Sequence, residues 1–176
     1  MVNIALVGCN GKMGKAVTSA VQSRNDCEIV FGADPFGTPA YDYPVFESLA
    51  VSDKKADVII DFSNPASLDD ILAYALEKKI PCVLCTTGYS PEQVEKIKKA
   101  SESVAVFYSG NMSLGINLLI ELSKEAAKIL GAADFDIEIV EKHHNQKIDA
   151  PSGTALMIAD GISDTLAEEP QYVYDR

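Results

Sequence analysis

The sequence predicts an α/β protein: a Rossmann-type parallel sheet with helices on both faces, followed by a smaller α+β unit. Three observations carry this. "VNIALV" (2–7), "EIVFGA" (28–33), "DVIIDF" (57–62), "PCVLC" (81–85) and "VAVFY" (104–108) are short, largely apolar runs. They lack the strict alternation of a sheet wetted on one side, so both faces of the sheet must be covered. Helical patterns lie between the later runs, as the crossovers of parallel strands require.

Taken in order, the first run turns through "VGCNGKMG" into a helix-like segment from about Lys12 to Arg24. Residues 34–56 contain Pro35, Pro39 and Pro44 and are expected to form an irregular connection. "ASLDDILAYALEKK" (66–79) and "SPEQVEKIKKASE" (90–102) have helical spacing. The second opens with Ser90 as N-cap, Pro91 at the first helical position and Gln93 at the third, a capping box. After "SGNMSLG" (109–115) the pattern changes. A long apolar helix is predicted from about Ser113 to Leu130, ended by Gly131. "FDIEIVEK" (135–142) alternates Phe135, Ile137 and Ile139 with acids, which predicts a half-wet strand. A last helix is expected from Ser152 to about Ala167, with Ala155, Ile158, Ala159, Ile162 and Leu166 on one face.

These patterns divide the chain into a parallel-sheet domain over 1–111 and a partial α+β domain over 112–176, whose motifs imply dinucleotide binding and substrate binding respectively. A lone strand between two helices has no ladder for its backbone groups. Two readings stay open: the strand joins another chain's sheet, or strands that should follow Arg176 are missing.

A formal net charge of −11 and a pI near 4.5 exclude nucleic acid and anionic membranes as partners, because their phosphates are repelled. No apolar run has the length of a membrane span, and the N-terminus lacks the basic start of a signal peptide. Cys9, Cys27, Cys82 and Cys85 have no secretory context, which predicts reduced thiols in a cytoplasm. Cys82 and Cys85 form a C-x-x-C, but on a strand positions i and i+3 point to opposite faces. They are expected to be small core residues, neither a redox pair nor half of a zinc site.

Gly8, Gly11 and Gly14 follow the first strand in G-x-x-G-x-x-G spacing. A turn without side chains lets the backbone approach a pyrophosphate, whose charge then rests on a helix N-terminus. Asp34, 20 residues after Gly14 at the end of the second strand, is placed to accept from the adenosine ribose. Pro35 and Phe36 follow it, with no arginine for a 2′-phosphate, which leans towards NADH; Lys12 can reach a phosphate and permits NADPH.

"EKHHNQKIDAPSGT" (141–154) gathers both histidines with Lys142 and Lys147 in an otherwise acidic chain. Adjacent side chains on extended backbone diverge, so His143 and His144 make a poor metal site and no metal is expected. Two readings stay open. The stretch is a solvated loop, or Ser152, Gly153 and Thr154 open a helix that binds an anion beside Lys147 and a proton-carrying histidine.

"HHNQKIDAPSGTA", "VGCNGKMG", "DFSNP", "CTTG" and "NMSLGIN" occur in one order from Val7 to Ala155 and resemble the 4-hydroxy-tetrahydrodipicolinate reductase family. The resemblance implies an NADH- or NADPH-dependent step of the diaminopimelate–lysine pathway on a cyclic dicarboxylate, and a homotetramer for the full-length family. It puts His143 on the catalytic acid and Lys147 on the catalytic lysine. His144, Ser152, Gly153 and Thr154 fall on substrate-carboxylate positions. Gly8, Lys12, Met13 and Asp34 match cofactor positions, while Phe62, Thr87, Gly88 and the backbone of Asn111, Met112 and Ser113 match the nicotinamide surroundings. The chain departs from the family at Cys85, where Gly is usual, and at Ser109-Gly110, where Ala-Pro is usual. The resemblance also implies further strands after Arg176, so the chain is expected to be C-terminally short. The rival implication is a dinucleotide-binding module without catalysis.

Gly11→Asp puts a carboxylate against the pyrophosphate position and is expected to abolish cofactor binding. Retained affinity in an NADH titration would leave the loop merely structural.

Overall fold

The computed structural model describes residues 1–36, 41–133, 135–145, 147, 150–168 and 170–174. Pro39 of the proline-rich connection, and Gln146, Ile148 and Asp149 of the basic stretch, lie outside the described residues. The chain divides into two compact units, Met1–Gly110 and Asn111–Arg176.

The first unit is a six-stranded sheet in which every pairing is parallel. Its strands are β1 (Val2–Val7), β2 (Cys27–Ala33), β3 (Val45–Phe46), β4 (Val58–Asp61), β5 (Cys82–Leu84) and β6 (Val106–Tyr108). They run in the order β3-β2-β1-β4-β5-β6, so the direction of winding reverses between β1 and β4. Three helices cross between strands: α1 (Lys12–Gln22), α2 (Leu68–Lys78) and α3 (Pro91–Ser101).

The absence of alternation in β1 has its cause in the layers. Ala5 and Val7 enter an apolar cluster with Leu68, Ile71 and Leu72 of α2 and Ile97 and Ala100 of α3. Ile4 and Leu6, pointing the other way, pack against Val17 and Val21 of α1. Both faces are thus apolar, as the sequence predicts. The capping box of α3 forms as expected, with Ser90 accepting from the Gln93 N–H and Gln93 accepting from the Ser90 N–H. Gln93 also donates to the Pro65 carbonyl at 2.7 Å, tying α3 to the turn that leads into α2.

Two features of the first unit depart from expectation. The 34–56 connection carries a sixth strand, β3, which pairs with the end of β2. Gly32 donates to the Pro44 carbonyl at 2.9 Å and Asp34 to the Phe46 carbonyl at 2.8 Å. A proline beside a two-residue edge strand breaks no ladder, and so short a strand leaves no periodicity to detect. The predicted helix from 66 begins as a 3₁₀ turn over Pro65–Ser67, capped by the Asn64 side chain, before α2 proper.

In the second unit α4 (Leu114–Gly131) and α5 (Gly153–Ser163) pack together. A Cβ on Gly161 would lie 2.9 Å from Ile120 Cγ2, so this glycine lets the helices approach. Ser113 caps α4 and Ser152 caps α5, each side chain accepting from an N–H three residues on. Gly131 is the last helical residue, not a left-handed terminator; the cap is Ala132 in right-handed conformation. Helix α5 stops at Ser163, earlier than predicted, where Leu166 N–H turns back to the Ser163 carbonyl.

The expected strand over 135–142 does not form. Residues 135–142 are exposed, Val140 at 83%, and pair with no strand among the described residues. The reason is the one that made a lone strand suspect: extended backbone without a neighbour has nothing to exchange its N–H and C=O groups with.

The glycine loop gives the first unit its most demanding packing. A Cβ on Gly14 would lie 2.3 Å from the Gly8 carbonyl oxygen and 2.5 Å from Cys9 Cα, both backbone that cannot swing aside. Gly14→Ala is expected to cost about 3 kcal/mol or more, the upper range for overpacking. Chemical denaturation of the variant against the parent chain measures it; a loss below about 1 kcal/mol would show that the loop can relax.

Candidate active site

The carboxyl ends of β1, β2 and β4 meet at the point where the winding reverses, and a cleft of about 380 Å³ opens there. Gly8, Gly11, Asp34 and Phe62 line it, together with Ser63 and Asn64. Gly8 has φ +76° and its missing Cβ would lie 2.6 Å from the Phe62 carbonyl oxygen, so no other residue fits there. Gly11 is the N-cap of α1, and the first turn of that helix carries no acidic side chain and no side-chain cap. Its N–H groups are left for an anion. Lys12, Met13 and Gly14 form that first turn; Met13 is exposed.

Asp34 is fixed by two backbone donors. Asn10 N–H reaches Oδ2 and Phe36 N–H reaches Oδ1, each at 2.9 Å. Each oxygen keeps acceptor capacity for a hydroxyl. Behind the loop, Tyr41 donates to the Cys9 carbonyl at 2.8 Å and stacks on Tyr43, whose hydroxyl meets that of Thr18 in α1 at 2.8 Å. These tyrosines lie in the connection that sequence reasoning left irregular. Glu47 and Asp70 also line the cleft, so its charged lining is wholly acidic among the described residues.

Thr87 and Gly88 follow β5, beyond the cleft lining. Both are exposed, and Gly88 has φ +81° with open space where a Cβ would be. Of the C-x-x-C pair, Cys85, where the chain departs from the family, is half-buried and Cys82 is buried. Burial first, and then the charge of Asp61, pushes both thiols up to about 11. They are inert thiols in the core and its margin, as the strand reading predicts. Gly110 comes close to Thr87, whose methyl would lie 3.4 Å from an added Cβ.

The second unit holds the remaining predicted residues. Asn111 donates from its side chain to the Thr154 hydroxyl at 3.1 Å and accepts from the Ser113 N–H at 2.8 Å. The segment before α4, with Met112 exposed, is thereby joined to the start of α5. Ser152 is buried, and its hydroxyl accepts from the Ala155 N–H at 3.1 Å. The N–H groups of Gly153 and Thr154 lie in the first turn of α5, where no helical carbonyl takes them.

Glu141 shapes this end. Its Oε1 accepts from the Ser152 N–H at 2.8 Å and its Oε2 lies 3.4 Å from His143 Nδ1. Ser152 hydrogen bonds hold the Glu141 carboxyl below the ordinary range, with smaller contributions from His143 and Lys147. Eleven residues separate Glu141 from Ser152, so no local capping pattern announces the contact. His143 and His144 are exposed, Lys147 is half-buried, and a turn runs from the Lys147 N–H to the His144 carbonyl. Among the described residues no group of three or more His, Cys, Asp or Glu is arranged to hold a metal ion.

The residues present fit a dinucleotide. A turn whose missing Cβ atoms are replaced by backbone lies at the switch point of a 3-2-1-4-5-6 sheet, opens into a helix start and faces an acid at the end of β2. That arrangement defines the dinucleotide-binding class of oxidoreductase folds. The chain belongs to the dihydrodipicolinate reductase family: residues 2–112 match its "Dihydrodipicolinate reductase, N-terminus" and residues 115–173 its "Dihydrodipicolinate reductase, C-terminus". It is 52% identical to the 4-hydroxy-tetrahydrodipicolinate reductase of Clostridium tetani over 100% of this chain and 69% of that one. To the reductase of the same description from Caldanaerobacter subterraneus it is 49% identical, again over 100% and 69%. A solved structure, the dipicolinate-bound dihydrodipicolinate reductase of Paenisporosarcina sp. TG-14, superposes with a TM-score of 0.77 at 28% identity, covering 100% of this chain and 71% of that one. Members of the family are NAD(P)H-dependent oxidoreductases of the diaminopimelate–lysine pathway, as the resemblance in the sequence implies. No helix among the described residues is long and apolar enough to cross a membrane.

The raised thiols generate a pH test. At pH 8 a thiol at about 11 is thiolate in about one part in a thousand, so iodoacetamide leaves Cys82 and Cys85 unmodified in the native chain. Mass spectrometry should find both alkylated after unfolding in urea, and native labelling rising only as pH approaches 11. Rapid native labelling at pH 8 would contradict the burial.

Proposed function

We propose that the chain reduces 4-hydroxy-tetrahydrodipicolinate to tetrahydrodipicolinate: the 4-hydroxyl leaves as water to give the conjugated imine, which takes up a hydride and a proton, with His143 as proton donor and Lys147 as its charged partner. The observation that supports cofactor use is the glycine cradle, where backbone fills the place of two Cβ atoms. When bound, the nicotinamide supplies the hydride.

The chain's own residues do the rest. Gly8, Gly11 and Gly14, with the first turn of α1 at Lys12 and Met13, receive the pyrophosphate. Asp34 accepts a ribose hydroxyl while Asn10 and Phe36 hold it in place. Phe62, Thr87 and Gly88, with the backbone of Asn111, Met112 and Ser113, surround the nicotinamide. Ser152, Gly153 and Thr154 bind a substrate carboxylate at the α5 start, assisted by His144. Glu141 faces Nδ1 of His143, so the transferable proton is held at Nε2. Lys147 stabilises the negative charge that develops as the conjugated imine is reduced.

Cofactor preference follows from charge. Asp34, Glu47 and Asp70 line the cleft, and a 2′-phosphate placed among them is repelled. We therefore infer that NADH is preferred over NADPH. On this reading the protein works in the cytoplasm, in keeping with four free cysteines, and its partner is the cyclic dicarboxylate.

Thermal unfolding with NADH, NADPH and pyridine-2,6-dicarboxylate tests the binding reading. NADH and the dicarboxylate should both stabilise, NADH more than NADPH; stabilisation by nucleotide alone would identify a dinucleotide-binding module without catalysis. His143→Gln is expected to lower kcat by about 10²-fold to 10⁴-fold, the usual worth of a general acid, with NADH affinity nearly intact. An unchanged rate would remove His143 as the acid.

A further inference from the structure

At the carboxyl end of β4 one carboxylate holds two turns that belong to different strands. Asp61 is fully buried and forms no ion pair among the described residues. Its Oδ1 accepts from the Ser63 N–H at 2.9 Å and from the Ser63 hydroxyl at 2.5 Å. Its Oδ2 accepts from the Tyr89 phenol at 3.1 Å. The Asp61 carbonyl takes the Cys85 N–H at 2.9 Å, where β5 gives way to the Thr86–Gly88 turn. Burying a carboxylate is costly unless donors compensate it, and the donors here come from the two turns, not from the core helices.

Each turn is pinned at its other end as well. Phe62 donates to the Val7 carbonyl at 3.0 Å and its own carbonyl fills the space above Gly8. The Ser63 turn is therefore wedged against the glycine loop. Tyr89 directly precedes Ser90, the N-cap of α3, and its ring packs on Tyr108 with centroids 5.5 Å apart. Between the Asp61–Cys85 bond and the Asp61–Tyr89 bond, Thr87 and Gly88 are left exposed at the carboxyl end of the sheet.

We propose that Asp61 and Tyr89 are positioning residues for the nicotinamide end of the cofactor, locking the Phe62–Ser63 and Thr87–Gly88 turns into one unit through the Ser63–Asp61–Tyr89 hydrogen bonds. This rests on the preceding assignment of those turns to the nicotinamide surroundings. The adenine end, held by Asp34 and the glycine loop, has no bond to this carboxylate among the described residues. A defect in the lock therefore discriminates between the two ends of the cofactor.

The test compares NADH with ADP-ribose, which has the adenine end and lacks the nicotinamide, by calorimetric or fluorescence titration of the whole chain. Tyr89→Phe removes a single hydroxyl from the lock. NADH affinity should fall about tenfold, equivalent to about 1.4 kcal/mol, while ADP-ribose affinity stays within twofold. Asp61→Asn, which leaves one acceptor oxygen for two turns, should show the same selectivity if either variant proves hard to obtain folded. Equal losses for both ligands, or none for either, would overturn the lock. Parent chain that binds ADP-ribose but gains nothing from the nicotinamide would overturn the assignment of the turns, and the lock with it. Parent chain that binds neither would overturn the cofactor reading itself.

Discussion

The nucleotide-binding unit depends on a steric condition at the end of β1. The chain must leave the strand with φ +76° at Gly8, bring α1 within reach at Gly14, and pass the β4 exit at Phe62, all in the space of one turn. Each of these approaches is backbone against backbone, so none can be traded against a side-chain rotamer. Once they are met, the order of the strands puts Asp34 and Phe62 on either side of the loop, and the cleft exists before any ligand arrives. The tyrosine pair behind the loop acts on the same backbone from a further direction.

What was legible in the sequence follows the range of the interactions. Strands β1, β2, β4, β5 and β6 are apolar on both faces, and that uniformity is itself the mark of a covered parallel sheet. The α3 capping box was readable because cap and partner lie three residues apart. The glycine spacing was readable because close approach tolerates no other residue. Glu141, Tyr89 and Tyr41 were not readable: their partners Ser152, Asp61 and Cys9 lie 11, 28 and 32 residues away. Strand β3 escaped because two residues carry no period. The segment over 135–142 had the period of a strand and lacked the neighbour, which shows that amphipathic alternation licenses a strand only where a ladder can form.

In the second unit charge and helix geometry act together. Helix α5 offers its start to an anion, but Glu141 already accepts the N–H of the capping Ser152. The donors that remain, at Gly153 and Thr154, lie in the first turn just after the cap that Glu141 holds. His143 and Lys147 balance that acid in part, and Asn111 ties the Thr154 hydroxyl to the opening of α4. On the proposed function, a substrate carboxylate would meet a site whose charge is arranged around one resident anion, Glu141.

The ends of the sheet have a consequence for association. A sheet edge is a row of unpaired N–H and C=O groups and can template the addition of a foreign strand. Here one edge, β3, is two residues long and begins beside Pro44; the other, β6, is three residues long and is followed by Ser109-Gly110. Either edge offers an added strand only a few backbone bonds before its direction is lost. Among the described residues the sheet thus limits its own growth by the brevity of its rims.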